Sequence, residues 1–375
     1  MLAAEPTLPA PRGPLSAALF AYLREKSSTL TCRPVRSRDG IGDEDLQLAL
    51  YCCYELHYRG FEGVAAAREW DPDVLRFRSG LEQAFTEALE GAVPMPRVRD
   101  PNDVGVLIDQ SIREADGPSL SSFLLEHGSL ADFSEFVIHR SAYQLKEADP
   151  HTWAIPRYSG RSRAALVEIQ TDEYGRGLPG AAHADLFATT MKALALDPTY
   201  GAYLEQLPAV TLATTNLVSM FGLHRRWLPA LLGHLALFEM TSVEPMQRYA
   251  ETIDRHLLGA AARKFYDVHV LADAHHGSLA RRHLVGGYLD EQPQDATTLL
   301  WGALALSHVE QRFTASLLDA WAEGRSLLRP IRPLRPDGQN SSSAERSTPS
   351  IRSVASAMHR WYSARKWPAS WTSLR

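Results

Sequence analysis

Cysteine is scarce in this sequence. The 375 residues contain three, Cys32, Cys52 and Cys53. That count is too small and too odd for a disulfide framework, and no C-x-x-C pair offers a thiolate metal site. Such usage fits a reducing compartment, and the expected location is the cytoplasm. Long apolar runs are missing as well. Nowhere do about 18 apolar residues follow one another, so no transmembrane span is expected. The opening stretch, MLAAEPTLPAPRGPL, has no basic patch followed by an apolar core and lacks the pattern of a signal peptide. Positive charge is not in excess either: Lys and Arg total 39 against 44 Asp and Glu, a net charge of −5. A nucleic-acid binder is therefore not expected. Period-two alternation is too short everywhere to predict a strand. What the chain does have is 14 histidines, so any metal would be held by imidazoles and carboxylates.

Apolar residues at helical spacing predict helices over 15–28, 43–59, 72–91, 103–114, 118–128, 130–146, 160–174, 180–195, 198–205, 208–219, 225–239, 243–257, 259–287 and 295–323, with Gly and Pro between them. The expected class is all-α with a bundle core. Three parts are expected: an N-terminal helical extension over 1–102, a main helical domain over 103–328, and a tail over 329–375. Residues 329–350 are rich in Pro and Ser and predict disorder. Residues 351–375 carry Arg352, Arg360, Arg365, Lys366 and Arg375 with Trp361, Trp367 and Trp371 and no acid. That stretch reads first as a solvated tail, with a basic amphipathic contact to a membrane surface or partner as the alternative.

The most informative segment is FYDVHVLADAHHGSLA, residues 265–280. His269, Asp273 and His276 stand at i, i+4 and i+7, within a sector of roughly 60° at about 100° per residue. Phe265, Val268, Ala272 and Leu279 centre on nearly the same direction, so the three polar groups face the bundle interior or its edge. His275 points away from the stripe. Burying two imidazoles and a carboxylate is costly unless each finds a partner. A divalent metal is one such partner; a hydrogen-bonded polar seam is the other. One helix alone would under-coordinate a metal, so further ligands should come from other core helices. Glu239 is the only carboxylate in the apolar stretch from Leu228 to Met240, and a carboxylate is rarely buried unpaired. His234, five residues earlier, points elsewhere on that helix. Residues 165–187 offer Glu168, Asp172, Glu173 and His183, but the GRGLPG interruption at 175–180 prevents helical spacing from relating Glu173 to His183. Periodicity leaves the choice among the three acids open, and a capped, solvated helix end accounts for them equally well. Arg161, Arg163, Arg225 and Arg226 read first as a solvated basic face, and only second as partners for a substrate carboxylate. Thr214, Ser219 and Thr241 could line a pocket or bond back to their own helices.

Several of these runs, in order, resemble the iron-containing redox enzyme family of haem-oxygenase-like di-iron oxidases and oxygenases. They are KEADPHTW at 146–153, IQTDEYG at 169–175 through His183, FGLHRR at 221–226, GHLA at 233–236, EMTS at 239–242, the helix with His269, Asp273 and His276, and Trp321 followed by Gly324-Arg325-Ser326. The resemblance covers roughly residues 110–328. It implies a haem-oxygenase-like seven-helix bundle in which two Fe(II) ions replace haem. On this resemblance the ligands are Glu173, His183, Glu239, His269, Asp273 and His276, with Glu147 a further carboxylate that equally well caps a helix or pairs with Lys146 or Arg157. Gly277 departs from the family, where a larger, often acidic residue follows the last His, and a bend or shortening of that helix is expected there. The implied activity is oxidation of a small metabolite with O2 as co-substrate, either N-oxygenation of an amine or oxidation of an aliphatic C–H or C–C bond. An electron donor and a homodimer are compatible partners. The alternatives are a haem oxygenase, a cofactor-independent or thiaminase-like enzyme on the same fold, and a non-catalytic bundle.

Overall fold

The computed structural model describes residues 5–30, 37–115 and 117–330, and among them every regular element is helical. Three helices precede the bundle: α1 (Pro14–Leu23), α2 (Glu44–Glu55) and α3 (Pro72–Ala92). Then follow α4 (Val104–Arg113), α5 (Leu120–Glu126), α6 (Leu130–Gln144), α7 (Asp149–Thr152), α8 (Gly160–Glu173) and α9 (His183–Ala193). The described residues end with α10 (Ala209–Leu223), α11 (Leu228–Thr241), α12 (Val243–Arg255), α13 (Ala260–Leu279), α14 (Gly286–Glu291) and α15 (Ala296–Ala322). The disorder and the basic tail expected beyond residue 330 lie outside the described residues.

Local chemistry starts these helices. The Asp43 carboxylate accepts from the amides of Asp45 and Leu46 at the head of α2. Asp71 does the same for Asp73 ahead of α3, with Pro72 at the first helical position. Ser129 and Asp132 form a reciprocal capping box at α6. The expected helix over 198–205 is absent, and only a 3-10 turn at Leu204–Gln206 forms. Asp197 accepts the Thr199 amide and Gly201 turns left-handed at φ 77° against Pro6, so side-chain and turn chemistry overrides the apolar spacing. The expected run over 259–287 is also interrupted, but not at Gly277. Helix α13 passes through Gly277 to Leu279, and a wider π turn over Ala280–Val285 leads into α14.

Helices α11 and α15 pack with their backbones almost touching. A Cβ at Gly233 would strike the Leu299 carbonyl, and one at Gly302 the Ala230 backbone, so the crossing needs both glycines. The N-terminal helices share the bundle's hydrophobic core: Leu46, Leu50 and Phe85 belong to the same buried cluster as Leu217, Leu232 and Trp301. Polar contacts reinforce that seam. Asn216 donates to the backbone carbonyl of Gln47, and the fully buried Lys146 ammonium lies 2.7 Å from Glu55 and over the Tyr58 ring. A second apolar cluster, containing Phe136, Phe187, Phe265 and Tyr266, lies beside the first. No helix among the described residues is long and apolar enough to cross a membrane.

Candidate metal centre

Helix α13 buries His269, Asp273 and His276, each at 5% exposure or less. Two groups of carboxylate and imidazole atoms form along that face. In the first, one ligand atom each from Glu147, Glu173, His183 and His269 lie within 4.8 Å of one another; in the second, so do atoms of Glu239, Asp273 and His276. Thus all seven residues singled out from the sequence come together, from α8, α9, α11, α13 and the α6–α7 turn.

The interruption after α8 brings Glu173 and His183 face to face. Gly175, Arg176 and Gly177 all have left-handed backbones, at φ 62°, 54° and 75°. A Cβ on Gly175 would collide with the Ala181–Ala182 backbone, so only glycine lets the chain double back this tightly. The result places His183, first residue of α9, with Nδ1 3.0 Å from Glu173 Oε2. Glu147 Oε1 lies 3.5 Å from both His183 Nδ1 and His269 Nε2. The alternative partners for Glu147 are engaged elsewhere: Lys146 with Glu55, Arg157 with the carbonyls of Gly222 and Leu223. In the second group His276 Nδ1 stands 3.3 Å from Glu239 Oε2 and 3.5 Å from Asp273 Oδ1.

These short separations are not hydrogen bonds. Glu147 Oε1, Glu173 Oε2, both nitrogens of His183, Glu239 Oε2 and His276 Nδ1 are buried without a hydrogen-bond partner. Buried polar atoms are normally satisfied. Lone pairs from oxygen and nitrogen converging at 3.0–3.5 Å without shared hydrogens are what ligands around a cation do, so the donor set fits a pair of divalent metal ions. The remaining hydrogen bonds hold the ligands. His269 donates from Nδ1 to the Phe265 carbonyl at 2.9 Å, which turns Nε2 toward Glu147. Ser242 donates to Asp273 Oδ2 at 2.6 Å.

Electrostatics point the same way. Burial, with Asp273 and Glu173 nearby, pushes the Glu239 carboxyl up to about 8. Burial opposes charge on the imidazoles, yet Glu173 and Glu147 raise His183 to about 11, Glu147 raises His269 to about 9, and Asp273 and Glu239 raise His276 to about 10. Burial also opposes ionisation of Glu147, but His269 and His183 hold it at about 2. Without metal, protons gather on the rings to offset the acids. The four carboxylates Glu147, Glu173, Glu239 and Asp273 would instead be neutralised in full by two divalent cations.

Other sequence candidates fall elsewhere. Glu168 pairs on the surface with His275, and Asp172 contacts His276 from outside the two groups. His234 is fully buried beside His151 and Phe238. Arg161, Arg163, Arg225 and Arg226 are exposed. Thr214 and Ser219 bond back to their own helix, whereas Thr241 also lines a cavity. That cavity, of about 300 Å³, borders both groups, touching Glu147, Glu173, Glu239, His269 and Asp273, with walls from Phe136, Tyr143, Phe238 and Tyr266. Sequence reasoning missed the half-buried pair on its wall, in which Arg140 reaches both oxygens of Glu310 at 2.9 and 2.7 Å. The signal was available: Glu310 is the only acid between residues 296 and 318, the feature that drew attention to Glu239.

Residues 134–311 match the model of the family described as iron-containing redox enzyme. That segment, just under half of the chain, is similar to the iron-containing redox enzyme family. All seven residues of the two groups fall inside that segment. A stretch of 142 residues is 25% identical to a nitrosourea synthase of Streptomyces achromogenes subsp. streptozoticus. The match takes in 38% of this chain but spans only 30% of that protein's length.

Proposed function

We propose that the chain is a non-haem di-iron oxidase or oxygenase. Glu147, Glu173, His183 and His269 would hold one Fe(II), and Glu239, Asp273 and His276 the other. The irons supply the redox chemistry with O2 that oxidises a small metabolite, by N-oxygenation of an amine or by oxidation of an aliphatic C–H or C–C bond. The chain's own residues do the rest. Phe265 and Ser242 orient ligands, and aromatic side chains wall the bordering cavity where substrate would lie. The observation that carries the reading is the convergence of buried ligand atoms without hydrogen-bond partners. The name of the nitrosourea synthase relative is compatible with nitrogen chemistry, over the short stretch it shares.

The alternatives fare less well. A haem pocket would set four carboxylates against the macrocycle. A thiaminase-like nucleophile has no candidate in Cys52 or Cys53, which are fully buried with thiols that burial pushes up, Cys53 to about 12; Cys32 lies outside the described residues. A hydrogen-bonded polar seam would have satisfied the atoms that stand unpartnered. Metal analysis after anaerobic Fe(II) loading, followed by O2 consumption against amines and amino acids with mass detection of products, tests the proposal. Two irons per chain and substrate-dependent O2 uptake are expected; failure to bind iron in stoichiometric amount overturns it.

A further inference from the structure

In the metal reading each imidazole of the two groups presents one nitrogen to a cation; the second nitrogen of His183 has no hydrogen-bond partner, whereas the other two rings engage theirs. His269 uses the Phe265 carbonyl. His276 uses a side chain. Its Nε2 lies 3.1 Å from Asp172 Oδ2, while Nδ1 faces Glu239 and Asp273. Asp172 belongs to neither group. Its other oxygen, Oδ1, accepts from Arg176 Nε at 2.6 Å, and Arg176 occupies the left-handed turn that folds the chain back over the end of α8. The carboxylate is thus held from one side and offers a single oxygen to His276.

We infer that Asp172 is a positioning residue for the second group: it fixes the proton of His276 on Nε2, so that the Nδ1 lone pair is aimed at the position between Glu239 and Asp273. A carboxylate behind a ligating imidazole sets the tautomer, orients the ring and increases its basicity as a ligand. His276 has no backbone carbonyl that does this among its recorded partners. Asp172 and Glu173 are consecutive on α8, about 100° apart around the helix, and they diverge: Glu173 joins His183 in the first group, Asp172 backs His276 in the second. One helix end thereby sets the geometry of both groups.

The inference rests on the reading of the groups as metal sites, and the test separates the two. Co(II) serves as the probe, followed by its visible absorption, with the thermal midpoint of the metal-free protein measured alongside. Wild type is expected to bind two ions. Asp172→Ala is expected to weaken one of the two Co(II) sites by about tenfold to a hundredfold, leave the other unchanged and alter the absorption of the weakened one. Asp172→Asn, which keeps a hydrogen-bonding partner but not the charge, is expected to recover part of that loss. In the zinc-loaded wild type, nitrogen-detected imidazole spectra should show His276 protonated at Nε2. Two unperturbed Co(II) sites in Asp172→Ala, or a loss shared equally by both sites together with a lower metal-free midpoint, would overturn the inference. So would a His276 proton on Nδ1. A wild type that binds no Co(II) refutes the metal reading itself.

Discussion

Glu147 Oε1 stands 3.5 Å from His269 Nε2, buried and without a hydrogen joining them. This contact draws the turn after α6 onto the face of α13 and gives the first group its second carboxylate. Glu147→Ala should therefore reduce iron content from two per chain to about one after desalting, because the first group loses an anionic ligand that balances the cation. Glu168→Ala, at an exposed carboxylate paired with His275 outside both groups, should leave the content at two. Metal analysis of both variants decides.

The metal-free protein should become less stable as pH rises above neutrality. His183, His269 and His276 are raised from 6.5 to about 11, 9 and 10. Their stabilisation is complete below 6.5 and is lost as pH climbs through those values. Glu239, raised from 4.5 to about 8, works in the same direction. Glu147, lowered to about 2, works oppositely, and its contribution fades only as pH falls toward that value. Thermal midpoints between pH 7 and 11 should fall for the metal-free protein and stay nearly level for the iron-loaded one. Loading two divalent ions at pH 7 should release about four protons, three from the imidazoles and one from Glu239, readable with an indicator dye in weak buffer.

Glu310→Gln should destabilise the fold by about 1–3 kcal/mol, because it leaves the partly buried Arg140 without its counter-charge. The double replacement Arg140→Met with Glu310→Met should regain most of that loss. Urea denaturation of the two variants beside the wild type measures both, and a wild-type midpoint for Glu310→Gln would contradict the pairing.

Gly233→Ala should force α11 away from α15, since the new methyl meets the Leu299 carbonyl. A cost of about 1–3 kcal/mol is expected from overpacking. Because Glu239 lies on the same helix, iron affinity should fall with it. Thermal melts and iron titration separate the two effects.

Much of the fold was legible because helix formation is local. The helix expected over 72–91, the apolar spacing of α11 and the stripe on α13 depend on neighbours within a few residues, and each appears where expected. The helix sought over 198–205 failed because the Asp197 side chain and a left-handed Gly201 commit the backbone to turns. The bend or shortening sought at Gly277 falls just beyond it, where α13 gives way after Leu279 to the π turn. Among Glu168, Asp172 and Glu173, helical spacing put the first two together, whereas the structure gives all three different partners.

The sequence by itself determined an all-helical chain, the stripe of His269, Asp273 and His276, and the isolation of Glu239 in apolar company, since periodicity and composition are properties of adjacent residues. Only the tertiary structure decided that Glu147 faces His269 rather than Lys146 or Arg157, that the Gly175 turn brings Glu173 to His183, and that Asp172 stands behind His276. Those outcomes depend on where separate helices cross and on how tightly a left-handed turn closes. Close packing fixes such positions to a few tenths of an ångström, and no spacing along the chain encodes them.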